Sequence, residues 1–296
     1  MSYKNPTMPN FAFFGTPDLA VTVLEELKAK NLLPALIITS PDAPQGRGLT
    51  LTPPPVKVWA EAHGISVIQP TSFKEAIPKE ITDTPWDVFV VAAYGKLLPQ
   101  TLLDIPTHGT LNVHPSLLPR FRGASPIESQ ILADEETVGV TIMEMDAQMD
   151  HGPIVAQEVV SLPSWPIRKD ELSRILAHAG GELLAHTLPE WTTQNTQSSE
   201  QDHEAATFTQ KITKQQGHIT FTTDPCQNYL TFCALHPNPG TYFFATKDNT
   251  EVRIKIADAT YSGKTFIPTR VIPAGKKEVP YTALREQGYV LPAEAP

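Results

Sequence analysis

Residues 11–30 read FAFFGTPDLAVTVLEELKAK, an apolar run that turns at Gly15 and passes directly into a helix-like stretch. Thr16 is expected to cap the first N–H groups of that helix, and Pro17 suits its first position. Further apolar runs of this kind predict strands at residues 35–39, 65–68, 87–93, 111–114 and 138–145, and a long helix is expected over 168–185. Strands that alternate with helices predict an α/β domain built of βαβ units, with a mostly parallel sheet of six or seven strands.

The chain has 296 residues, of which 41% are hydrophobic and 19% charged, so it is expected to fold as a globular protein. The predicted α/β domain covers residues 1–190. Residues 191–205 are polar and poor in aliphatic side chains, which indicates a linker. Residues 206–296 contain short β-prone segments broken by Pro, Gly, Asn and Asp, and these predict a small antiparallel sheet or barrel. The segments are residues 219–223, 240–246, 251–261 and 270–274.

The net charge of -9 argues against a generally basic nucleic-acid binder, but the charge is unevenly distributed. Residues 1–205 carry 13 Lys or Arg against 25 Asp or Glu, whereas residues 206–296 carry 10 against 7. The C-terminal part is therefore locally basic. This excess is either scatter in a short segment or a surface that meets phosphates.

The sequence also bears on the compartment and on metals. No apolar run approaches the ~20 residues that span a bilayer, and the first ten residues have neither a signal-type nor an Arg-rich pattern. Cys226 and Cys233 are the only cysteines, without a CxxC pair or a Cys/His cluster. We therefore expect a cytoplasmic protein with no membrane contact, no disulfide framework and no metal.

The densest group of chemically active residues is NVHPSLLPRFRG, residues 112–123, at the end of a predicted strand. Side chains alternate along a strand, so Asn112 and His114 are expected on the same face. A lone histidine at a strand end is usually structural, but Asp150 follows another apolar strand and can return to the same edge of the sheet. An amide, an imidazole and a carboxylate can together stabilise an oxyanion and move a proton, as acyl transfer to an amine requires.

These residues lie within a pattern that resembles the folate-dependent formyltransferases, and among them the branch that acts on methionyl-tRNA. The resemblance covers nearly the whole chain. It rests on FGTPD (14–18), PDAPQGRG (41–48), VVAAYGKLLP (90–99), NVHPSLLPRFRGASPI (112–127), MDHGP (149–153), ATFTQKI (206–212) and PNPGTY (237–242). It implies a Rossmann-like catalytic domain in residues 1–190 and an OB-like β-barrel that binds tRNA in residues 206–296.

The resemblance further implies transfer of the formyl group of 10-formyltetrahydrofolate to the amino group of methionyl initiator tRNA, for translation initiation. In this reading Asn112 donates to the developing oxyanion, His114 stabilises that charge and moves protons, and Asp150 orients His114. Folate serves as the formyl donor, no metal or covalent intermediate is needed, and the protein is expected to be a monomer.

Binding residues are implied in the same way. The donor site is expected at Val91, Ala92, Tyr94, Gly95, Leu97, Ser116, Leu117, Leu118 and Pro119. The tRNA contacts are expected at Gly46, Arg47, Gly48, Lys211 and Lys214. Tyr94 is either a donor contact or a packing residue. Ser116 could suggest a serine nucleophile, but it lacks a GxSxG elbow, so holding the loop is the favoured role.

Some residues depart from the family pattern and leave alternatives open. Gln148 and His151 stand where the family usually has Gly and Thr, and His151 is either a neutral replacement or a second titrating group. A second hypothesis is N-formylation of an amino-sugar nucleotide or another small amine. The GRG sequence at 46–48 disfavours it. A third is a catalytically silent folate- or RNA-binding module, which the intact set Asn112, His114 and Asp150 disfavours.

Overall fold

The computed structural model describes residues 8–45 and 48–292. Its strands are β1 (Phe11–Gly15), β2 (Leu36–Ile38), β3 (Ala43–Gln45), β4 (Thr50–Thr52), β5 (Ser66–Ile68), β6 (Val88–Ala92), β7 (Thr110–His114), β8 (Arg122–Gly123), β9 (Val138–Glu144), β10 (Ile154–Val160), β11 (Phe208–Thr209), β12 (Thr241–Lys247), β13 (Thr250–Ser262), β14 (Thr265–Pro273) and β15 (Val279–Pro280). Its α-helices are α1 (Asp18–Ala29), α2 (Pro55–Ala62), α3 (Lys79–Thr82), α4 (Gln100–Leu103), α5 (Pro126–Leu132), α6 (Lys169–Thr192), α7 (Pro225–Leu235) and α8 (Ala283–Glu286). Short 3-10 turns lie at His203–Ala205 and Lys214–Gly217.

The main sheet has seven strands in the order β10-β9-β7-β6-β1-β2-β5. Strands β5, β2, β1, β6 and β7 are parallel, and β9 and β10 add an antiparallel edge. The predicted α/β fold with a mostly parallel sheet is therefore confirmed. The chain builds the sheet outward from β1 to β5 and then returns to place β6 on the other side of β1. Ligands of open α/β sheets bind at such a reversal of strand order, outside the carboxyl ends of the strands.

Alternation along the central strands explains why both faces of the sheet are covered. On β1, Phe11 and Phe13 belong to one apolar cluster, while Ala12 and Phe14 belong to another on the opposite face. All four are fully buried, as expected of a parallel strand between two layers. Burying a phenylalanine side chain contributes about 1.5–3 kcal/mol, so this strand is a rigid support for the loops at its end.

The expectation that Thr16 caps α1 is wrong. Helix α1 begins at Asp18 with Pro17 at the N-cap and no side-chain cap, because Thr16 lies one residue too early for its hydroxyl to reach the free N–H groups. Thr16 Oγ1 instead donates to the Tyr94 carbonyl at 3.3 Å and lies 3.2 Å from Ser40 Oγ. Its hydroxyl therefore ties the end of β1 to the segment that follows β6.

The described residues group into two compact units. The first contains residues of Met1–Gly123, Thr137–Ser161 and Ser173–Phe208, and the second those of Ala124–Glu136, Leu162–Leu172 and Thr209–Pro296. The second unit contains an antiparallel sheet in the order β12-β13-β14-β15, which confirms the antiparallel β prediction for this part of the chain. Among the described residues, no helix is both long and apolar enough to cross a bilayer.

Residues 219–223 do not form the predicted strand, and helix α7 follows them instead. Asp224 caps this helix by accepting from the Cys226 N–H at 3.3 Å, and Pro225 occupies its first turn. The Asp-Pro pair is thus a helix start rather than a break between strands. The long helix α6 also extends beyond its predicted end, to Thr192.

Candidate active site

Asn112 and His114 lie on β7, between β6 and β9, and their side chains share one face of the sheet. Leu111 and Val113 pack into the apolar cluster on the other face. Asn112 is paired with Val91 of β6, which belongs to the cluster on the Asn112 side. The arrangement predicted from the alternation is therefore the one observed.

His114 is held in one orientation. Its side chain is only 4% exposed, and Nε2 lies 3.0 Å from the Phe121 carbonyl oxygen. Because a carbonyl oxygen only accepts, Nε2 carries a proton in this arrangement. Nδ1 then faces Asp150, whose Oδ1 lies 3.8 Å away. This spacing is too long for a direct hydrogen bond, and the Asp150 carboxylate attracts the ring strongly only when His114 carries a second proton.

Asp150 uses its two carboxylate oxygens in different directions. Oδ2 accepts a hydrogen bond from the Gly123 N–H at 2.7 Å, while Oδ1 is the atom nearest to His114. The backbone of Asp150 is left-handed, with φ of 50°, a conformation that Asp tolerates better than most residues. The turn therefore aims the carboxylate at the histidine, and β8 fixes it there.

Sequence reasoning missed two buried side chains beneath this turn, Arg122 and Gln201. Gln201 Oε1 accepts from Arg122 Nε at 3.0 Å and from a terminal guanidinium nitrogen at 2.6 Å. Gln201 Nε2 donates to the carbonyls of Asp150 at 3.0 Å and Gly152 at 2.7 Å. Gln201 lies in the polar stretch predicted to be a linker, and a single glutamine in such a stretch carries no local signal of burial.

His151 is engaged away from His114. Its Nδ1 lies 2.6 Å from Asp146 Oδ2, so it donates to that carboxylate, and its ring stacks on His203 with centroids 4.2 Å apart. His203 Nδ1 in turn accepts from the Arg122 guanidinium at 2.9 Å. The non-family residue at position 151 is thus part of the same network that surrounds Arg122.

The loop after His114 is fixed by hydrogen bonds to β9. Ser116 is fully buried, and its Oγ donates to the Arg120 carbonyl at 2.8 Å, a contact that closes the loop. Thr141 Oγ1 donates to the Ser116 carbonyl and accepts from the Leu118 N–H. The Leu117 side chain packs where a Cβ at Gly139 would stand. The Pro119 carbonyl accepts from the Thr207 N–H at 3.3 Å.

The segment after β6 combines buried residues with an exposed loop. Val91 and Ala92 are buried strand residues, and Gly95 has φ of 78°, which a glycine adopts without strain. Tyr94 is 3% exposed and packs against Phe14 with ring centroids 5.6 Å apart, and its burial raises the pKa of the phenol to about 12. Leu97 is 83% exposed. Tyr94 therefore stabilises the loop by packing in the core, and its phenol stays neutral.

A cavity of about 470 Å³ lies where the loop at 145–153 leaves β9. Leu103 and Met145 in its wall also pack in the apolar cluster on the Asn112 side of the sheet. Burial and the nearby Glu200 carboxylate raise the pKa of Glu144 in the same wall. The full lining is Gln100, Leu103, Asp104, Pro106, Gly109, Glu144, Met145, Asp146 and Pro153. The lining is therefore mixed, with apolar side chains beside the carboxyl groups of Asp104, Glu144 and Asp146.

The residues predicted to contact tRNA lie in two places. Gly46 and Arg47 are outside the described residues, and Gly48 is exposed in the connection between the paired strands β3 and β4. Lys211 and Lys214 are exposed in the second unit. Across residues 8–45 and 48–292, no group of three or more His, Cys, Asp or Glu side chains is placed to hold a metal ion.

Known proteins resemble this chain over most of its length. The family model for Formyl transferase matches residues 9–188. A methionyl-tRNA formyltransferase from Chloroflexus aurantiacus is 40% identical over 261 residues, which cover 88% of this chain and 83% of the relative. The one from Halalkalibacterium halodurans is 38% identical over 284 residues, covering 94% and 84%.

A solved structure shows the same fold. The N-formyltransferase from Helicobacter canadensis, crystallised in complex with folinic acid and dTDP-3-aminofucose, matches with a TM-score of 0.63 at 16% identity, over 86% of this chain and 88% of that one. Since the family model matches more than half of the residues and the curated relatives are about 40% identical over most of both chains, the chain belongs to the formyl transferase family.

Proposed function

We propose that this protein transfers the formyl group of 10-formyltetrahydrofolate to the α-amino group of methionyl initiator tRNA. The observation that carries the proposal is the pairing of buried His114 with half-buried Asp150, on the side of the sheet that carries Asn112. The similarity of most of the chain to curated methionyl-tRNA formyltransferases supports the choice of acceptor.

The first step is attack of the neutral amine on the formyl carbon. A new C–N bond forms, the carbonyl π electrons move to oxygen, and the attacking nitrogen becomes positively charged. The Asn112 amide N–H groups would donate to the oxyanion, and an oxyanion donor of this kind contributes about 10²- to 10³-fold to the rate. Strand β7 lies inside the sheet between β9 and β6, so the backbone that carries this donor is in place before the substrates bind.

The second step breaks the bond between the formyl carbon and N10. The ammonium formed in the first step must lose a proton, and N10 must gain one as it leaves. His114 Nδ1 would accept the first proton and deliver it to N10, since Nε2 is already committed to the Phe121 carbonyl. While both nitrogens carry protons, the Asp150 carboxylate would stabilise the imidazolium. The products are the formylated amine and tetrahydrofolate, and no net proton is released.

The donor would bind across the face of the sheet that carries Asn112, between the segment after β6 and the loop at 145–153. The pterin ring of folate has several N–H donors, which suit backbone carbonyls and the carboxylates of Glu144 and Asp146. Apolar side chains of the lining, such as Met145, would contact its flat face. The remaining predicted donor residues, Ser116 to Pro119, would hold the loop over the formyl group.

The acceptor would be held by phosphate contacts outside this pocket. Residues 206–296 carry a net positive charge, and Lys211 and Lys214 are exposed there. The GRG sequence at 46–48 would approach the acceptor end, with exposed Leu49 and Leu51 beside it. We further propose that the first 190 residues perform the chemistry and residues 206–296 bind tRNA.

An acceptor panel tests the proposal. Purified protein is incubated with 10-formyltetrahydrofolate and either methionyl initiator tRNA, methionyl elongator tRNA or a set of amino-sugar nucleotides, and formyl transfer is measured. We expect transfer to methionyl initiator tRNA. Transfer to an amino sugar alone would retain the chemistry and overturn the acceptor, whereas no transfer to any acceptor would overturn the assignment of the reaction.

A further inference from the structure

We propose that Gln201 and Arg122 are positioning residues that hold the Asp150 turn at its working distance from His114. The inference rests on the proposed function, because it assigns these residues a part in the same reaction. Neither side chain touches the reacting atoms. Their action is through the turn that carries Asp150.

The carboxylate and the backbone of Asp150 are anchored to adjacent residues of β8. Gly123 donates its N–H to Asp150 Oδ2. Arg122 binds Gln201 through two guanidinium nitrogens, and Gln201 donates to the Asp150 carbonyl. The four residues therefore form a closed ring of contacts. If the turn moves, either the bond from Gly123 to the Asp150 carboxylate or the bond from Gln201 to the Asp150 carbonyl must break.

Burial makes this ring expensive to open. Arg122 is 3% exposed and Gln201 4% exposed, so water does not readily replace a lost partner. Gln201 suits its place because an amide can accept and donate at once: its oxygen meets the guanidinium, and its NH₂ group reaches the Asp150 and Gly152 carbonyls. A glutamate of the same shape would keep the first contact and lose the other two.

The distance that the ring controls is a sensitive one. Asp150 Oδ1 stands 3.8 Å from His114 Nδ1, already beyond hydrogen-bond range, so further separation weakens the stabilisation of an imidazolium. A misplacement of about 1 Å can cost roughly 10²-fold in rate. Gln201 is therefore expected to influence kcat more than KM.

The test compares two substitutions of Gln201. Gln201→Met removes the contacts with Arg122 and those with the Asp150 and Gly152 carbonyls. The melting temperature and kcat should therefore both fall. In Gln201→Glu the carboxylate pairs with Arg122, so the melting temperature should lie above that of Gln201→Met, while kcat for formyl transfer stays about 10- to 100-fold below wild type. The control is Gln194→Glu, the same change at an exposed position outside the site. It should leave the melting temperature and kcat unchanged. Recovery of kcat together with stability in Gln201→Glu would overturn the proposal.

A second readout does not depend on activity. The Gly123 amide is bonded to Asp150 Oδ2, so its hydrogen-exchange protection reports whether the carboxylate is seated. We expect protection to fall in Gln201→Glu and to persist in Gln194→Glu. Unchanged protection in Gln201→Glu would refute the positioning role even if no acceptor were formylated, so failure of this inference is distinguishable from failure of the proposed function.

In the catalytic assay, the effect should also depend on Asp150. Adding Gln201→Glu to an Asp150→Asn background should lower kcat by less than threefold, because the group being positioned has already lost its charge. A fully multiplicative effect of the two substitutions would indicate that Gln201 acts elsewhere and would contradict the proposal.

Discussion

Asp150 shows how one residue can be both structural and chemical. Its Oδ2 holds the turn through the Gly123 N–H, and its Oδ1 faces the His114 ring. Asparagine has nearly the same shape, tolerates φ of 50°, and can keep an oxygen toward Gly123, but it has no charge. The two tasks can therefore be separated by a single substitution.

Asp150→Asn should lower kcat for formyl transfer by about 10²-fold or more while changing the melting temperature little. The reason is that a neutral amide cannot stabilise the imidazolium form of His114. Steady-state kinetics and thermal unfolding measure the two effects. Asp134→Asn is a matched control, since Asp134 also has a left-handed φ, of 54°, and accepts an N–H, from the Trp165 indole at 2.7 Å. Equal activity of the two variants would contradict a charge-dependent role for Asp150.

Glu144 gives a prediction about pH and stability. Burial, reinforced by Glu200, raises its pKa in the folded protein above that in the unfolded chain. A raised carboxyl pKa favours folding when the group is protonated, and that contribution is lost as the pH rises through the folded-state pKa. Glu144→Gln should therefore melt at a higher temperature than wild type at about pH 8, and the difference should shrink toward about pH 4. The exposed Glu182→Gln is the control. If the difference in melting temperature between Glu144→Gln and wild type grew on acidification, the pKa of Glu144 would be lowered by folding rather than raised.

At the scale of elements, the connection from β9 to β10 is the tightest part of the site. The Glu144 N–H donates to the Pro153 carbonyl at 2.9 Å, and a Cβ on Gly152 would overlap the Glu144 carbonyl oxygen. The two strands can approach at this point only because residue 152 lacks a side chain.

Gly152→Ala should therefore destabilise the protein by about 1–3 kcal/mol, as overpacking does, and lower formyl transfer because the Asp150 turn shifts with its neighbour. Chemical denaturation measures the stability change. The comparison is Gly48→Ala, whose added Cβ has Thr50 Oγ1 as its nearest neighbour at 3.6 Å and should leave stability unchanged. Wild-type stability of the Gly152 variant would mean that the connection is looser than described.

The element scale also shows what the sequence can predict. Strands β1 and β6 are continuous apolar runs because both of their faces are buried, and such runs were sufficient to predict them. Strand β10, IVAQEVV, is half-exposed at the edge of the sheet and has no such run, so it was missed. The sequence does not predict helix α7, because its apolar and polar residues do not separate onto two faces of a helix. The Asp-Pro pair at its start is its clear signal.

The candidate site was predictable to the extent that its residues follow strands. Asn112 and His114 share a face by alternation. Strand β9 runs antiparallel to β7 and ends opposite Leu111, so Asp150 reaches His114 only because the loop after β9 returns along the sheet. Arg122 and Gln201 were not predictable, because the partners are separated by 79 residues and no periodicity links them. The cavity wall at Leu103 and Met145 was missed for the same reason, since it depends on how a helix and a loop pack on the sheet.

At the scale of the whole molecule, the uneven charge predicts salt-dependent recognition. If Lys211 and Lys214 neutralise tRNA phosphates, each change to Ala should weaken methionyl-tRNA binding and reduce the slope of log affinity against log salt by roughly one. Binding isotherms at several salt concentrations measure this slope. Lys264→Ala, in the turn between β13 and β14, is the control for loss of an exposed charge. Identical slopes for all three variants would remove Lys211 and Lys214 from the interface.

The most direct test of the account is the single-turnover rate of formyl transfer from 10-formyltetrahydrofolate to methionyl initiator tRNA, measured for wild type and for Asn112→Ala. The account predicts rapid transfer by wild type and a rate about 10²- to 10³-fold lower for the variant, because the oxyanion loses its preorganised donor. A fully active Asn112→Ala protein would contradict the placement of the reaction at the end of β7.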